Sequence, residues 1–583
     1  MCAEGPNVSR IKESKVERAK RGGRFLRGSI TEVLASEAQA FAHDDVQLLK
    51  FHGVYQQEDR DARAVRRLTG KDTPTRFMIR SRIPGGRLNA DQYLTFDRLA
   101  EQVSYNRSLR ITTRQTLQLH GVIKKELRAT IAGIHRSLVT TLAACGDIGR
   151  NVMAPPAPRA DPTYRALRTL ADTISDALAP RTHAYSEIWL DGERVVDDVE
   201  PLYGASYLPR KFKVGIALPE DNAVDVYTQD VGLIAVTQDE GPASTLRGVD
   251  VVVGGGLGLT HRKADTFARL ASPLGFVTAE QAPILVCALV GLFRDHGERG
   301  DRKHARLKYL IEDWGPERFR AALEARLPFS IAPWVEVGKL AYRDWLGRHE
   351  QGDGRVFYGV HIPNGRIIDT PEARLKSALA ETVAAVRPGV VLTPTQNLLL
   401  TDLTPENAAV VAQILSAYGA APRALSPLRR YAMACPALPT CGLALAESER
   451  FMPQLLDALE PALAARGLEH ETISIRMTGC PNGCARPYAA DLGIVGRRAG
   501  HYDLYVGGRL SGDRLAFLWT EQVAACGIVP ALEPLLDLWA EERRGDEGLG
   551  ELARRLFAGD APHPITTGAK QPAASDALVS LTA

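Results

Sequence analysis

The sequence lacks a long hydrophobic run, a large net charge and enough cysteine for a disulfide scaffold, and each shortage removes a class of function. The longest apolar stretch, Ala282 to Phe293, is about a dozen residues, against about 20 for a membrane span, so it predicts a buried helix. Lys and Arg number 72 against 69 Asp and Glu, leaving a formal net charge of +3, too balanced for a nucleic-acid or membrane-surface protein. The basic stretch from Arg10 to Arg27 has no apolar h-region, and Glu4, Glu13 and Glu17 are foreign to a transit peptide, so a cytoplasmic protein is expected. Eight cysteines in 583 residues do not make a disulfide framework, and in a reducing compartment a cysteine cluster points to metal or catalysis. Gly254-Gly255-Gly256-Leu257-Gly258 misses the third glycine of GxGxxG, which favours a tight turn after a buried strand, Val249 to Val253, over a dinucleotide loop.

What is present is the composition of a folded protein, 45% hydrophobic and 24% charged, in a chain long enough for several domains. It contains a divergent duplication with an offset of about 280 residues. Ile83-Pro84-Gly85-Gly86-Arg87-Leu88 pairs with Ile362-Pro363-Asn364-Gly365-Arg366-Ile367, and Ile111-Thr112-Thr113-Arg114-Gln115-Thr116-Leu117 with Leu392-Thr393-Pro394-Thr395-Gln396-Asn397-Leu398. Arg150-Asn151-Val152-Met153-Ala154 pairs with Arg430-Tyr431-Ala432-Met433-Ala434, and Asp250 with Val253-Gly254-Gly255 pairs, at a shorter offset, with Asp503 and Val506-Gly507-Gly508. Each half predicts a β-α-β-β-α unit: strand Phe77 to Ile83, a helix from Asp91 capped by Asn89, strands over Leu109 to Val122 and a helix from Lys124 to Leu138. The second copy predicts strand Phe357 to Ile362, helix Glu372 to Val386, strands Val390 to Leu400 and helix Pro405 to Tyr418. Two such units related by a pseudo-two-fold axis place a ligand site between them. The expected divisions are an N-terminal arm over 1–72, half-modules over 73–145 and 350–421, larger α/β domains over 146–345 and 422–558, and a flexible Ala/Pro/Ser/Thr-rich tail over 559–583.

Cys2, Cys145, Cys287 and Cys526 are isolated, but Cys435 and Cys441 form C-x5-C and Cys480 and Cys484 form C-x3-C, each among prolines and glycines that shape wrapping loops. Four thiolates suit a 4Fe-4S cubane, one per iron. Zinc also accepts four thiolates, but its structural loops favour Cys-x2-Cys knuckles, which neither pair has. In Arg110 to His120, the residues Arg110, Thr112, Arg114, Gln118 and His120 share one parity and can present a single cationic face; an exposed polar sheet face is the alternative.

The cysteine motifs, with Thr478-Gly479-Cys480-Pro481-Asn482-Gly483-Cys484, resemble the siroheme and 4Fe-4S proteins that reduce sulfite or nitrite. Phe51-His52-Gly53-Val54-Tyr55-Gln56-Gln57-Glu58-Asp59-Arg60-Asp61 and Tyr207-Leu208-Pro209-Arg210-Lys211-Phe212-Lys213 are similar to the sulfite-reducing haemoprotein branch, and the resemblance runs from about Phe25 to about Phe557. It implies an α+β fold of two ferredoxin-like half-modules and two larger siroheme- and cluster-binding α/β domains. It further implies a 4Fe-4S cluster on Cys435, Cys441, Cys480 and Cys484, siroheme held by Arg110, Thr112, Arg114, Gln118, His120, Asn482 and Cys484, and sulfite met by Arg80, Arg150, Lys211 and Lys213. The expected reaction is six-electron reduction of sulfite to sulfide, with nitrite reduction to ammonia as the alternative. Because no flavin or nicotinamide loop stands out, electrons are expected from a diflavin NADPH-dependent subunit or a ferredoxin. Asp301-Arg302-Lys303-His304 with Arg306 and Lys308 is a second basic patch that the macrocycle could touch. The position after Met153 is Ala154, so the tyrosine crosslink of some relatives has no cysteine there. A zinc-stabilised scaffold and a siroheme-free electron carrier are the rival readings from other classes.

Overall fold

A computed structural model of the chain describes residues 13–181, 189–190, 193–194, 200–239, 241, 243–421, 425–558 and 565–566. It is an α+β structure in which the duplication is visible element by element. The first unit consists of strand Thr75–Arg80, turn Pro84–Gly86, helix Ala90–Val103, strands Leu109–Ile111 and Leu117–Val122, and helix Lys124–Arg136. Asn89 caps the first helix: its side chain accepts from the Gln92 N–H at 2.9 Å while the Gln92 side chain accepts from the Asn89 N–H at 2.9 Å, a reciprocal box that satisfies open amides at the helix start. The second unit repeats the order with Val356–Val360, Pro363–Gly365, Leu375–Val386, Gly389–Leu392, Leu398–Leu403 and Pro405–Ala417. The first strand stops at Arg80 rather than Ile83, because the Arg82 N–H turns to Thr140 O at 2.7 Å and the Ile83 N–H to Asn151 Oδ1 at 2.8 Å.

Each unit lends a short strand to the other's sheet. One five-stranded sheet runs Val54–Glu58, Thr75–Arg80, Leu117–Val122, Leu109–Ile111, Arg366–Ile367; its mate runs Gly347–Glu350, Val356–Val360, Leu398–Leu403, Gly389–Leu392, Arg87–Leu88. The exchange depends on two glycines. A Cβ on Gly86 (φ +75°) would lie 2.3 Å from Leu392 O, and one on Gly365 (φ +76°) 2.4 Å from Ile111 O, so both the left-handed backbone and the close approach require glycine.

Two lobes follow the units. The first carries a sheet of Ser272–Thr278, Thr245–Val253, Val231–Gln238 and Val214–Ala217; the second carries Ala432–Ala434, Ile475–Thr478, Leu492–Arg498, His501–Val506 and Phe517–Ala524. In the first lobe the segment around Arg150 takes the place of Ala432–Ala434 through parallel bridges from Gly149 to Phe212 and from Met153 to Gly215, so the sequence match between these segments is also a match in space. One large apolar core spans both sheets and the first lobe, and a second fills the other lobe. The helix Gln281–His296 buries Ala282, Leu285, Val286, Leu289, Val290, Leu292 and Phe293, each of the larger side chains contributing about 1.5–3 kcal/mol. Gly254 turns the chain at φ +81° after Thr245–Val253, as the tight-turn reading predicts.

The N-terminal arm packs onto the body, and its strand Val54–Glu58 edges the first sheet. Among the described residues no helix is long and apolar enough to cross a membrane. The expected flexible tail lies outside the described residues except for Ile565–Thr566, which pair with Phe267–Ala268.

Candidate functional site

The two cysteine pairs meet because two strands are parallel and adjacent. Ala432–Ala434 pairs in parallel with Ile475–Thr478, Ala434 opposite Met477, so both chains leave the sheet at the same end and their next loops share one space. Cys435 follows the first strand directly, and Cys480 lies two residues past the second. The loops are stitched together: the Gly479 N–H faces Cys435 Sγ at 3.4 Å, Asn482 Nδ2 faces Cys480 Sγ at 3.3 Å, and the Leu445 and Ala446 N–H groups donate to Gly479 O at 2.7 and 3.0 Å. A Cβ on Gly479 would meet Ala446 O at 2.5 Å and Ala437 Cβ at 2.6 Å, so no other residue fits. From the first lobe, the Leu259 N–H donates to Pro481 O at 3.0 Å, which makes the glycine-rich turn a seat for the Cys480–Cys484 loop. Arg60, held by the Asp59-capped helix Arg60–Leu68, donates to the carbonyls of Cys441, Gly442 and Ala444 at 3.2–3.3 Å.

Burial, and then the neighbouring Cys484, hold the Cys435 and Cys441 thiols above their ordinary value and push Cys480 up to about 12. Cys435 and Cys480 are buried, Cys441 is half-buried and Cys484 is exposed, so three thiols held up by burial beside an accessible fourth suit a polycation that would draw off their protons. Among the described residues no three His, Cys, Asp or Glu side chains close to the spacing of a single-ion site. Four cysteines on two adjacent loops supply one thiolate for each iron of a cubane.

A polar rung crosses the first sheet beside these loops. Arg80 pairs with Gln118, Gln118 with Arg110, and Arg110 with Arg366 in the strand register. With its amide oriented to satisfy its neighbours, Gln118 Oε1 accepts from Arg80 Nε at 3.0 Å and its nitrogen donates to His120 Nε2 at 3.2 Å. Burial and then the cations Arg366, Arg110 and Arg80 hold His120 well below its ordinary value, so it is neutral. Alternation is interrupted by the Thr112–Thr116 turn, where Gln115 has φ +54° and the two threonine hydroxyls meet at 2.8 Å. Arg114 therefore leaves the sheet and reaches the first lobe, donating to Asn151 O at 2.6 Å, Val214 O at 3.2 Å and Gln229 Oε1 at 2.8 Å. The single cationic face expected from parity is thus divided: Arg80, Gln118 and His120 stay together, Arg114 joins the lobe, and Arg110 turns to Glu449 Oε2 at 2.9 Å and Ala434 O at 2.9 Å.

Lys211 and Lys213 flank the buried Phe212 and, by strand alternation, face away from it, beside Arg150, whose N–H donates to Phe212 O at 2.8 Å. Burial, then Arg306 and Arg210, push Lys211 down to about 7; burial, then Lys211 and Arg306, hold Lys213 well below its usual range; burial, then Arg150, push Arg114 down to about 9. Among the described residues none of Arg80, Arg114, Arg150, Lys211 and Lys213 forms an ion pair, while His120 Nδ1 and Arg114 Nε are buried without a partner. So many buried and half-buried cations, with Asp230 the carboxylate that acts on Arg114 and Lys213, fit a polyanionic macrocycle and an anionic substrate. The two halves of the site touch at Cys484: Thr113 Oγ1, in the turn from which Arg114 departs, donates to the Cys484 carbonyl at 3.1 Å.

The second basic patch is divided. Arg306 binds Asp230 at 2.9 Å and still acts on Lys211 and Lys213, whereas Arg302 binds Asp147 at 2.7 and 2.9 Å and Lys308 donates to Gly256 O and Gly258 O at 3.0 Å. Sequence reasoning missed Cys145, set aside as isolated although Arg80 Nη1 donates to its sulfur at 3.1 Å, and Tyr55, whose ring lies 5.9 Å from the Arg80 guanidinium. Tyr55 stands in the Phe51–Asp61 motif, which signalled importance without a role. Glu449 and Arg366 were missed as well.

Comparison with known proteins agrees with this architecture. The family model described as nitrite and sulphite reductase 4Fe-4S domain matches residues 170–331 and 427–556, and the nitrite/sulfite reductase ferredoxin-like half domain matches 69–136 and 348–418. A sulfite reductase (ferredoxin) of Synechococcus elongatus is 44% identical over 94% of this chain and 90% of that protein. A sulfite reductase (NADPH) hemoprotein beta-component of Myxococcus xanthus is 44% identical over 94% of this chain and 97% of its own length. Among solved structures, the Mycobacterium tuberculosis NirA protein superposes with a TM-score of 0.75 at 25% identity, covering 93% of this chain and 96% of that one.

Proposed function

The chain belongs to the nitrite and sulphite reductase family, and on that premise we propose that it is an assimilatory sulfite reductase haemoprotein acting in the cytoplasm. Sulfite takes six electrons and seven protons and leaves as hydrosulfide and three waters. Cys435, Cys441, Cys480 and Cys484 would hold a 4Fe-4S cluster, and Arg114, Gln118, His120, Thr112, Asn482 and Cys484, with Arg110 behind them, would hold siroheme. When bound, siroheme would supply a redox-active iron centre and the cluster would supply electrons one at a time.

The protein's own work is electrostatic and protonic. Arg80 and Arg150 offer fixed forks to sulfite oxygens, while Lys211 and Lys213 are compact ammonium groups whose depressed affinity for protons suits them to give one up to a departing oxygen. The observation that carries this reading is the convergence of the two cysteine loops at one end of parallel strands, with the Cys484 carbonyl accepting from Thr113 Oγ1 at 3.1 Å beside the cationic turn. Electrons come from a separate carrier, and the two relatives' names supply both candidates, a ferredoxin and an NADPH-dependent partner. The test is an absorption spectrum of protein produced with a siroheme supply, followed by viologen-driven turnover of sulfite and of nitrite. Siroheme bands with sulfide release at low sulfite support the reading. A colourless or cluster-only protein removes it, and a clear preference for nitrite moves the substrate and keeps the site.

A further inference from the structure

The expected siroheme ligand Arg110 is committed elsewhere, and its partner is a carboxylate that no motif singles out. Glu449 lies just beyond the Cys435–Cys441 loop and its N–H donates to Cys435 O at 3.1 Å. Its carboxylate accepts from Arg110 Nε at 2.9 Å and from Arg366 Nε and Nη2 at 2.7 and 3.1 Å. The two arginines are paired neighbours in the first sheet, one from each half of the duplication. Arg110 also donates to Ala434 O at 2.9 Å, the carbonyl before Cys435, and Arg366 Nη1 donates to Ser108 Oγ at 3.2 Å. The side chains of Arg110, Glu449 and Arg366 are only 3%, 13% and 11% exposed.

A buried triad with two cations and one anion carries a net positive charge next to one cysteine of the proposed cluster. Removing a buried ion's partner is costly, so the three are locked, and their charge is felt at short range through a medium of low dielectric. The triad also ties that cysteine loop to the sheet rung that continues through Gln118 to Arg80. We propose that Glu449 is a positioning residue which, clamped by Arg110 and Arg366, fixes the Cys435 edge of the 4Fe-4S cluster against the siroheme-side sheet and sets its reduction potential. The inference rests on the proposed cluster reading. A reduced cluster is one charge more negative than an oxidised one, so a nearby negative charge disfavours reduction and a nearby positive charge favours it.

The test is a reductive titration of the holoenzyme followed by the cluster's paramagnetic resonance, with iron counted per chain, in wild type, Glu449→Gln, Arg366→Gln and Arg366→Lys. Glu449→Gln keeps the shape and removes the negative charge, so reduction becomes easier, by on the order of tenfold in the reduced-to-oxidised ratio at a fixed potential, which is about 59 mV for one electron. Arg366→Gln moves the ratio the other way by a similar factor, and Arg366→Lys leaves it within about twofold because the charge is kept. Shifts of opposite sign support the proposal; a purely structural contact gives equal iron loss and no ordered shift. Unmoved potentials in both charge variants, or shifts in the same direction, overturn it while the wild-type cluster stands. A wild-type chain without a cluster signal overturns the reading beneath it as well.

Discussion

The two five-stranded sheets have the same strand order, the same exchanged strand and the same glycine at the exchange, yet one rung differs at three of its four positions and keeps arginine only on the exchanged strand. In the first sheet it reads Arg80, Gln118, Arg110, Arg366; at the matching positions of the mate it reads Gly359, Leu399, Val391, Arg87. The lobes diverge likewise. The N–H of Lys213 donates to Asp230 Oδ2 and that of Ser474 to Asp491 Oδ2, both at 3.0 Å, so the backbone frames coincide while a half-buried amine in one lobe is a hydroxyl in the other. Counting on from there, Cys480 and Cys484 fall where the first lobe has Pro219 and Ala223. Duplication supplied one scaffold twice, and chemistry was then divided: cations on the first sheet and lobe, thiols on the second lobe. A site between copies needs only one of each.

The strongest way to break this division is to remove the residue at its boundary. Cys484→Ser is expected to lower viologen-driven sulfite turnover by about 10³-fold, roughly 4 kcal/mol of barrier, with iron and siroheme content measured beside it. Cys526→Ser, at an exposed cysteine apart from the site, serves as the control and leaves turnover unchanged; equal loss in both variants would deny Cys484 its special place. A smaller effect sharpens the contrast between lobes. Lys213→Ser gives the first lobe its mate's residue and is expected to lower sulfite kcat/KM by about 10²-fold at unchanged iron content. Because Lys213 sits half-buried among more cations than carboxylates, the same change should raise the melting temperature of cofactor-free protein by about 1–3 °C. A fall in both activity and stability would mean that the lysine is part of the packing rather than of the substrate site.

How much of this was legible in the sequence depends on the range of the signal. The duplication was, because four motif pairs keep their order, and the cysteine pairs were, because proline and glycine frame them. The reason the pairs converge was not legible: it is the parallel register of Ala434 and Met477, two segments far apart in the chain. Strand exchange was invisible because two-residue strands such as Arg87–Leu88 carry no periodicity. Parity correctly grouped Gln118 with Arg110 on one rung, but it ran through the Thr112–Thr116 turn, where alternation fails and Arg114 departs. It also could not supply Glu449, a lone carboxylate that gains meaning only when two arginines from different halves close on it. Charge type was readable; partner choice was not.

The smallest predicted effect concerns protons, and it again separates the lobes. Lys211 is pushed from 10.5 down to about 7 by burial and then by Arg306 and Arg210. Above about pH 10.5 the group is neutral in both folded and unfolded chains and costs nothing. Between pH 10.5 and 7 the unfolded chain binds a proton that the folded one does not, so stability falls as the pH falls, with a slope of at most about 1.4 kcal/mol per pH unit. Below about 7 both states hold the proton and the penalty is constant. Lys213, also depressed, acts with the same sign. Denaturant titrations of cofactor-free protein at pH 7.5, 8.5 and 9.5 should therefore show stability rising with pH, and Lys211→Met should flatten that rise. Loading siroheme, whose carboxylates favour the charged ammonium, should flatten it too. If the variant keeps the wild-type slope, Lys211 is solvated in the empty chain, and the cationic lobe is built by its ligand rather than waiting for it.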